Sequence, residues 1–80
     1  MLNIKVLGPG CANCRKVEEI AREAVARLGV EAEFEKVKDA QAILAYEVLK
    51  TPGLVINEKL VSSGRIPAVE SVVGWIREAA

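Results

Sequence analysis

Leu2-Asn3-Ile4-Lys5-Val6-Leu7-Gly8-Pro9-Gly10-Cys11-Ala12-Asn13-Cys14 opens the chain, and the reading of this stretch decides the fold. Leu2 to Leu7 is a short apolar run of strand length, with Leu2, Ile4 and Val6 in alternation. Gly8-Pro9-Gly10 breaks it. From Cys14 onward, Val17, Ala21, Ala24, Val25 and Leu28 recur at three- and four-residue steps, the period of an amphipathic helix, and Gly29 supplies the left-handed stop. Arg15, Lys16, Glu18, Glu19, Arg22, Glu23 and Arg27 take the other face. The two cysteines, the only ones in the chain, therefore sit where a strand hands over to a helix. A two-residue spacer there lets both sulfurs approach to disulfide distance within one turn, and it puts the first at the positive end of the helix dipole.

That placement divides the labour between them. Cys11, beside unsatisfied backbone N–H groups, has its thiolate stabilised and is the candidate nucleophile. Cys14, one turn inside and on the side of Val17 and Ala21, is expected to be more buried and suited to resolving a mixed disulfide. Arg15 and Lys16 either add positive potential nearby or are solvated helix charges.

Outward from the cysteines, Val30 to Val37 reads as a second strand through Val30, Ala32 and Phe34, with an irregular end at Val37. Asp39 suits the N-cap of a shorter helix through Ala42, Ile43 and Tyr46. Leu54 to Asn57 and Lys59 to Ser62 form two short strands turning at Asn57-Glu58. Pro67 fits the first position of a last helix whose stripe is Val69, Val72, Val73 and Ile76. The first two strands, joined through a helix, should be parallel with a right-handed crossover, and the hairpin should add antiparallel strands. The expected α/β architecture is a four-stranded mixed sheet with three helices in the order βαβαββα, a thioredoxin-like fold in minimal form.

Eighty residues make one domain, 1–80, with no internal repeat or linker. Apolar residues make up 51%, but the aromatics are only Phe34, Tyr46 and Trp75, so the core must be built from Val, Ile, Leu and Ala. Eleven basic residues balance eleven acidic ones and are interleaved with them, which offers nothing to recruit nucleic acid or an anionic membrane. The chain starts directly on its first strand, without the basic segment and long apolar stretch of a signal peptide, and no segment is long enough to span a bilayer. A cytoplasmic location is expected, where a thiol pair is reduced or cycling rather than locked as a staple.

Other uses of two thiols stay open at this point. A closed zinc site would want four ligands, and the chain has no His and no third Cys. A soft ion such as Cu(I) suits a Cys-x-x-Cys pair, so a metal carrier is one alternative, and a redox-regulatory interaction module is another. Thr51-Pro52-Gly53, immediately before Leu54-Val55-Ile56, is the second informative feature. A proline at the start of a strand is tolerated because no ladder donor is needed there.

The chain resembles the small prokaryotic thioredoxin-fold proteins known as archaeal glutaredoxin-like or redox-active disulfide proteins. The resemblance rests on Gly8-Pro9-Gly10-Cys11-Ala12-Asn13-Cys14, Tyr46 with Val48, Thr51 to Asn57, Val61 to Pro67 and Trp75-Ile76. It implies thiol–disulfide exchange at Cys11 and Cys14 without a bound cofactor or metal. It also implies a cis Thr51-Pro52 bond facing them, with Thr51, Pro52 and Gly64 on the side of a disulfide-containing protein substrate, and an external reductant of the thioredoxin-reductase kind. The sequence also departs from relatives of this fold. Gly10 stands where thioredoxins carry Trp, the first strand offers only Asn3 and Lys5 where they bury an acid, and Ser62-Ser63-Gly64-Arg65 lacks the acid of the glutaredoxin Gly-Gly-x-Asp element.

Overall fold

In the computed structural model, residues 2–8, 12–46, 48 and 50–79 are described. The elements run β1 (Leu2–Leu7), α1 (Ala12–Leu28), β2 (Ala32–Val37), α2 (Ala40–Ala45), β3 (Gly53–Ile56), β4 (Lys59–Ser63) and α3 (Val69–Ala79). They form one sheet in the order β2-β1-β3-β4. β1 pairs with β2 in parallel, Leu2 opposite Ala32 through Leu7 opposite Val37. The pairings of β1 with β3 and of β3 with β4 are antiparallel.

Alternation along β1 sorts the two faces of the sheet. Leu2, Ile4 and Val6 join Cys14, Val17, Ala21 and Ala24 of α1, Leu54 and Ile56 of β3, and Val72 and Ile76 of α3 in the larger core. Full burial of an Ile or Val side chain contributes about 1.5–3 kcal/mol, so this face carries most of the stability. Ala21 and Ala24, fully buried and small, let α1 lie close on the sheet. Leu7 points the other way and packs with Ile43 of α2, Val48 and Val55.

Local chemistry explains the boundaries. α1 ends in a Schellman arrangement at Gly29 (φ 64°), whose N–H donates to Ala26 O at 3.2 Å while the Val30 N–H reaches Val25 O at 3.4 Å. The Asp39 carboxylate caps α2, accepting from the Gln41 N–H at 3.2 Å. Asn57 and Glu58, with φ of 50° and 68°, make the two-residue turn of the β3–β4 hairpin.

Several details differ from expectation. β2 is regular through Val37: the phase change arises because Val37 packs beneath α2, not because the strand ends irregularly. β2 itself starts at Ala32 rather than Val30. β3 covers Gly53–Ile56 and β4 reaches Ser63, with a register shift opposite Leu54/Val55 that leaves Val61 as an extra residue. Pro67 is buried two residues ahead of α3, and it is the Ala68 carbonyl that accepts from the Ser71 and Val72 N–H groups.

Lys5 lies in the middle strand of this sheet on the α2 side, where a bare cation would be costly. Its ammonium donates to Tyr46 Oη at 2.8 Å and to Glu58 Oε1 at 2.6 Å, and the Tyr46 hydroxyl donates to Glu58 Oε2 at 2.6 Å. The hydrogen bond to Glu58 first, and that to Tyr46 second, hold the Lys5 ammonium far above its ordinary range. Tyr46 thereby ties the end of α2 to the central strand and the hairpin turn.

Candidate active site

The site forms at the end of the sheet where β1 and β2 finish and β3 begins. β1 leads the chain to Gly8, whose N–H is anchored to Val37 O at 2.9 Å. α1 starts four residues later and carries Cys14 in its first turn, 5% exposed and at the edge of the large core. Cys11 and the Pro9-Gly10 pair lie outside the described residues. Helix periodicity drives Cys14 inward: it is one step before Val17 and Ala21 on the buried stripe.

Gly8 is what makes room for the sulfur. A Cβ at this position would fall within the van der Waals radius of Cys14 Sγ and would stand 3.5 Å from Thr51 Cβ. Cys14 and Thr51 therefore converge on one backbone point from two distant parts of the chain. The Thr51–Pro52 peptide bond is cis. Thr51 is exposed and Pro52 buried. The Gly64 N–H, at a φ of 71°, donates to Pro52 O at 2.9 Å. Its backbone comes so near that a Cβ there would meet Lys50 Cβ at 2.9 Å, so glycine is required both for the positive φ and for the close approach. Cys14, Thr51, Pro52 and Gly64 are thus brought into one neighbourhood.

Beside Cys14 opens a cleft of about 170 Å³, lined by Val6, Gly8, Cys14, Arg15, Glu18, Lys36 and Lys38. Glu18 lies one helical turn beyond Cys14. It accepts from Arg22 Nε at 2.9 Å and pairs with Lys36 Nζ at 3.1 Å. The Arg22 hydrogen bond, reinforced by Lys36, holds its carboxyl below the usual range. A second and more open groove of about 320 Å³ runs between β4 and α3, lined by Leu60, Val61, Ser62, Ser63, Arg65 and Trp75. Among the described residues, no three His, Cys, Asp or Glu side chains gather as a metal site.

Sequence reading missed Gly8 as the seat of the sulfur, because a glycine in Gly-Pro-Gly reads only as a strand break. Of the cleft cations it pointed to Arg15 and missed Lys36, Lys38 and Arg65, which the fold brings in from the end of β2 and the segment after β4. Tyr46 and Trp75 are half-buried, and the hydrogen bonds of Tyr46 to Lys5 and Glu58 carried no sequence signal.

A thioredoxin-domain family model matches residues 2–77. A thioredoxin of Methanothermobacter thermautotrophicus is 43% identical over 72 residues, covering 90% of this chain and 94% of its own length. A thioredoxin of Methanocaldococcus jannaschii is 38% identical over 72 residues, covering 90% of this chain and 83% of its own. Among solved structures, the malaria parasite's thioredoxin-2 superposes with a TM-score of 0.71 at 10% identity, covering 98% of this chain and 82% of that one.

Proposed function

Because the chain belongs to the thioredoxin-domain family, we propose that Cys11 and Cys14 are the two thiols with which it works. The protein is a thiol–disulfide oxidoreductase, and its partners are disulfide proteins and a reductant. In the proposed sequence, the Cys11 thiolate attacks one sulfur of a substrate disulfide. A Cys11–substrate disulfide forms, and the other substrate sulfur leaves as a thiolate that takes up a proton. Cys14 then gives up its proton and attacks the Cys11 sulfur. The Cys11–Cys14 disulfide forms and the substrate leaves as a dithiol. Two electrons pass from the protein to the substrate, and an external dithiol reductant of the thioredoxin-reductase kind restores the pair. The two thiols balance the reaction, so no further group is called for.

The observation that carries this reading is the seating of Cys14 Sγ against Gly8, with Thr51 converging on the same point. It holds the resolving sulfur buried, one turn from the Cys11 position and under the polypeptide that precedes β3. Thr51, Pro52 and Gly64 form the side on which we place an extended substrate segment. We place the protein in the reducing cytoplasm, acting as one domain over residues 1–80. The test is reduction of a protein disulfide with a dithiol regenerant, comparing the wild type with Cys11→Ser and Cys14→Ser. Loss of turnover in both is expected. Full turnover in Cys11→Ser contradicts the assignment.

A further inference from the structure

The chain is neutral overall, yet its cations are not evenly placed. Arg15 and Lys38 line the cleft that holds Cys14, together with Lys36. Lys50 lies against Gly64, and Arg65 follows directly and lines the groove between β4 and α3. Among the described residues, Arg15, Lys38, Lys50 and Arg65 make no ion pair, whereas Lys36 is engaged by Glu18. Among the described residues, the nearby carboxylates are partly committed: Glu18 holds Arg22 and Lys36 and Asp39 caps α2, leaving Glu19 one turn beyond Arg15 and Glu70 in the first turn of α3. Unpaired charges act over a Debye length of about 8–10 Å at moderate salt, so these four cations set the potential around the site.

The groove adds a second, independent observation. Ser62 is 9% exposed, and its hydroxyl has no hydrogen-bond partner. The shift in register at Val61 is the cause: Ser62 sits opposite Leu54, on the face that packs against α3, where Val61 also packs. A buried hydroxyl without a partner is costly in an otherwise satisfied structure; closed to solvent as it stands, the Ser62 hydroxyl gains an outside acceptor by a turn of its side chain into the groove. Arg65, with its planar fork of donors, stands in the same groove, and Trp75 supplies an apolar wall.

We propose, building on the reductase reading above, that the protein selects disulfides in acidic surroundings and that one substrate carboxylate seats in the Ser62–Arg65–Trp75 groove. Arg65 takes the carboxylate by its guanidinium, the Ser62 hydroxyl donates to it, and the methylenes of the acidic side chain lie on the Trp75 ring. Arg15, Lys38 and Lys50 draw the rest of the acidic surface toward the sulfurs. The occupant is an extended protein segment bearing Asp or Glu close to its disulfide.

The test uses two synthetic peptides, each with one intramolecular disulfide, alike except that one is flanked by Glu and the other by Lys. At low ionic strength the acidic peptide should be reduced with a kcat/KM at least about tenfold higher, and added salt should narrow the gap. Arg65→Glu should lower the acidic-to-basic ratio, a readout that a general loss of activity does not move. Ser62→Ala should lower the same ratio while leaving the thermal midpoint unchanged or raised, since it removes an unsatisfied group. Equal rates for the two peptides, or ratios unmoved by both substitutions, would overturn the proposal. Failure to reduce either peptide, when a free dithiol reduces both, would overturn the reductase reading and this inference with it.

Discussion

The sulfur of Cys14 occupies the space that a side chain at Gly8 would fill. Gly8 is pinned at the end of the central strand by its bond to Val37 O, and Cys14 is pinned by the helix stripe that runs through Val17 and Ala21. Neither can yield without moving a strand or a helix. The position of the buried sulfur is therefore fixed by backbone on one side and core packing on the other.

Gly8→Ala is expected to destabilise the fold by about 1–3 kcal/mol through overpacking and to slow disulfide reduction. The same substitution in a Cys14→Ala background should cost clearly less, because the atom it collides with is gone. Equal costs in the two backgrounds, from denaturant melts of all four proteins, would show that the contact does not matter.

Asp39→Ala removes the side-chain cap of α2 and should cost about 1 kcal/mol. Amide exchange should quicken in α2 with little change in α1. Unaltered exchange over Ala40–Ala45 would refute the role of the cap.

Strands β1, β3 and β4, helix α1 and the hairpin turn were readable because each is dictated by near neighbours in sequence: alternation, a three-to-four-residue stripe, or an Asn-Glu pair flanked by strands. The start of α3 was not. Pro67 satisfies the local preference for a first helical position, but it is buried, and the helix begins at Val69 instead. The extra residue at Val61 was invisible for a similar reason, since only pairing with β3 reveals it. In the site, Cys14 was found from its local motif and Thr51, Pro52 and Gly64 through the family resemblance, and what tertiary structure added was their convergence on Gly8 and on Lys50. Cys11, the nucleophile inferred from the motif, lies outside the described residues.

Acid should weaken the fold through two carboxylates. Glu58, held low by Lys5 first and Tyr46 second, and Glu18, held low by Arg22 and then Lys36, both have folded values below their unfolded ones. Their contribution is present above the unfolded Glu value near about 4.3 and is lost as pH falls through the folded values. Lys5 is shifted the opposite way, so its contribution is complete below about 10.4 and is lost only at higher pH. The unfolding midpoint should be level through neutral pH and fall in acid, and Glu18→Gln with Glu58→Gln should flatten that fall. An acid limb identical in the double variant would contradict this.

The central claim, that Cys11 attacks and Cys14 resolves, is tested most directly by intact-mass analysis of the Cys14→Ser protein mixed with a disulfide substrate. The expected result is a covalent adduct of one protein and one substrate chain, linked through Cys11 and released by excess dithiol, with no adduct in Cys11→Ser. An adduct that forms in Cys11→Ser instead, or in neither variant while both still reduce the substrate, would contradict the two-cysteine mechanism.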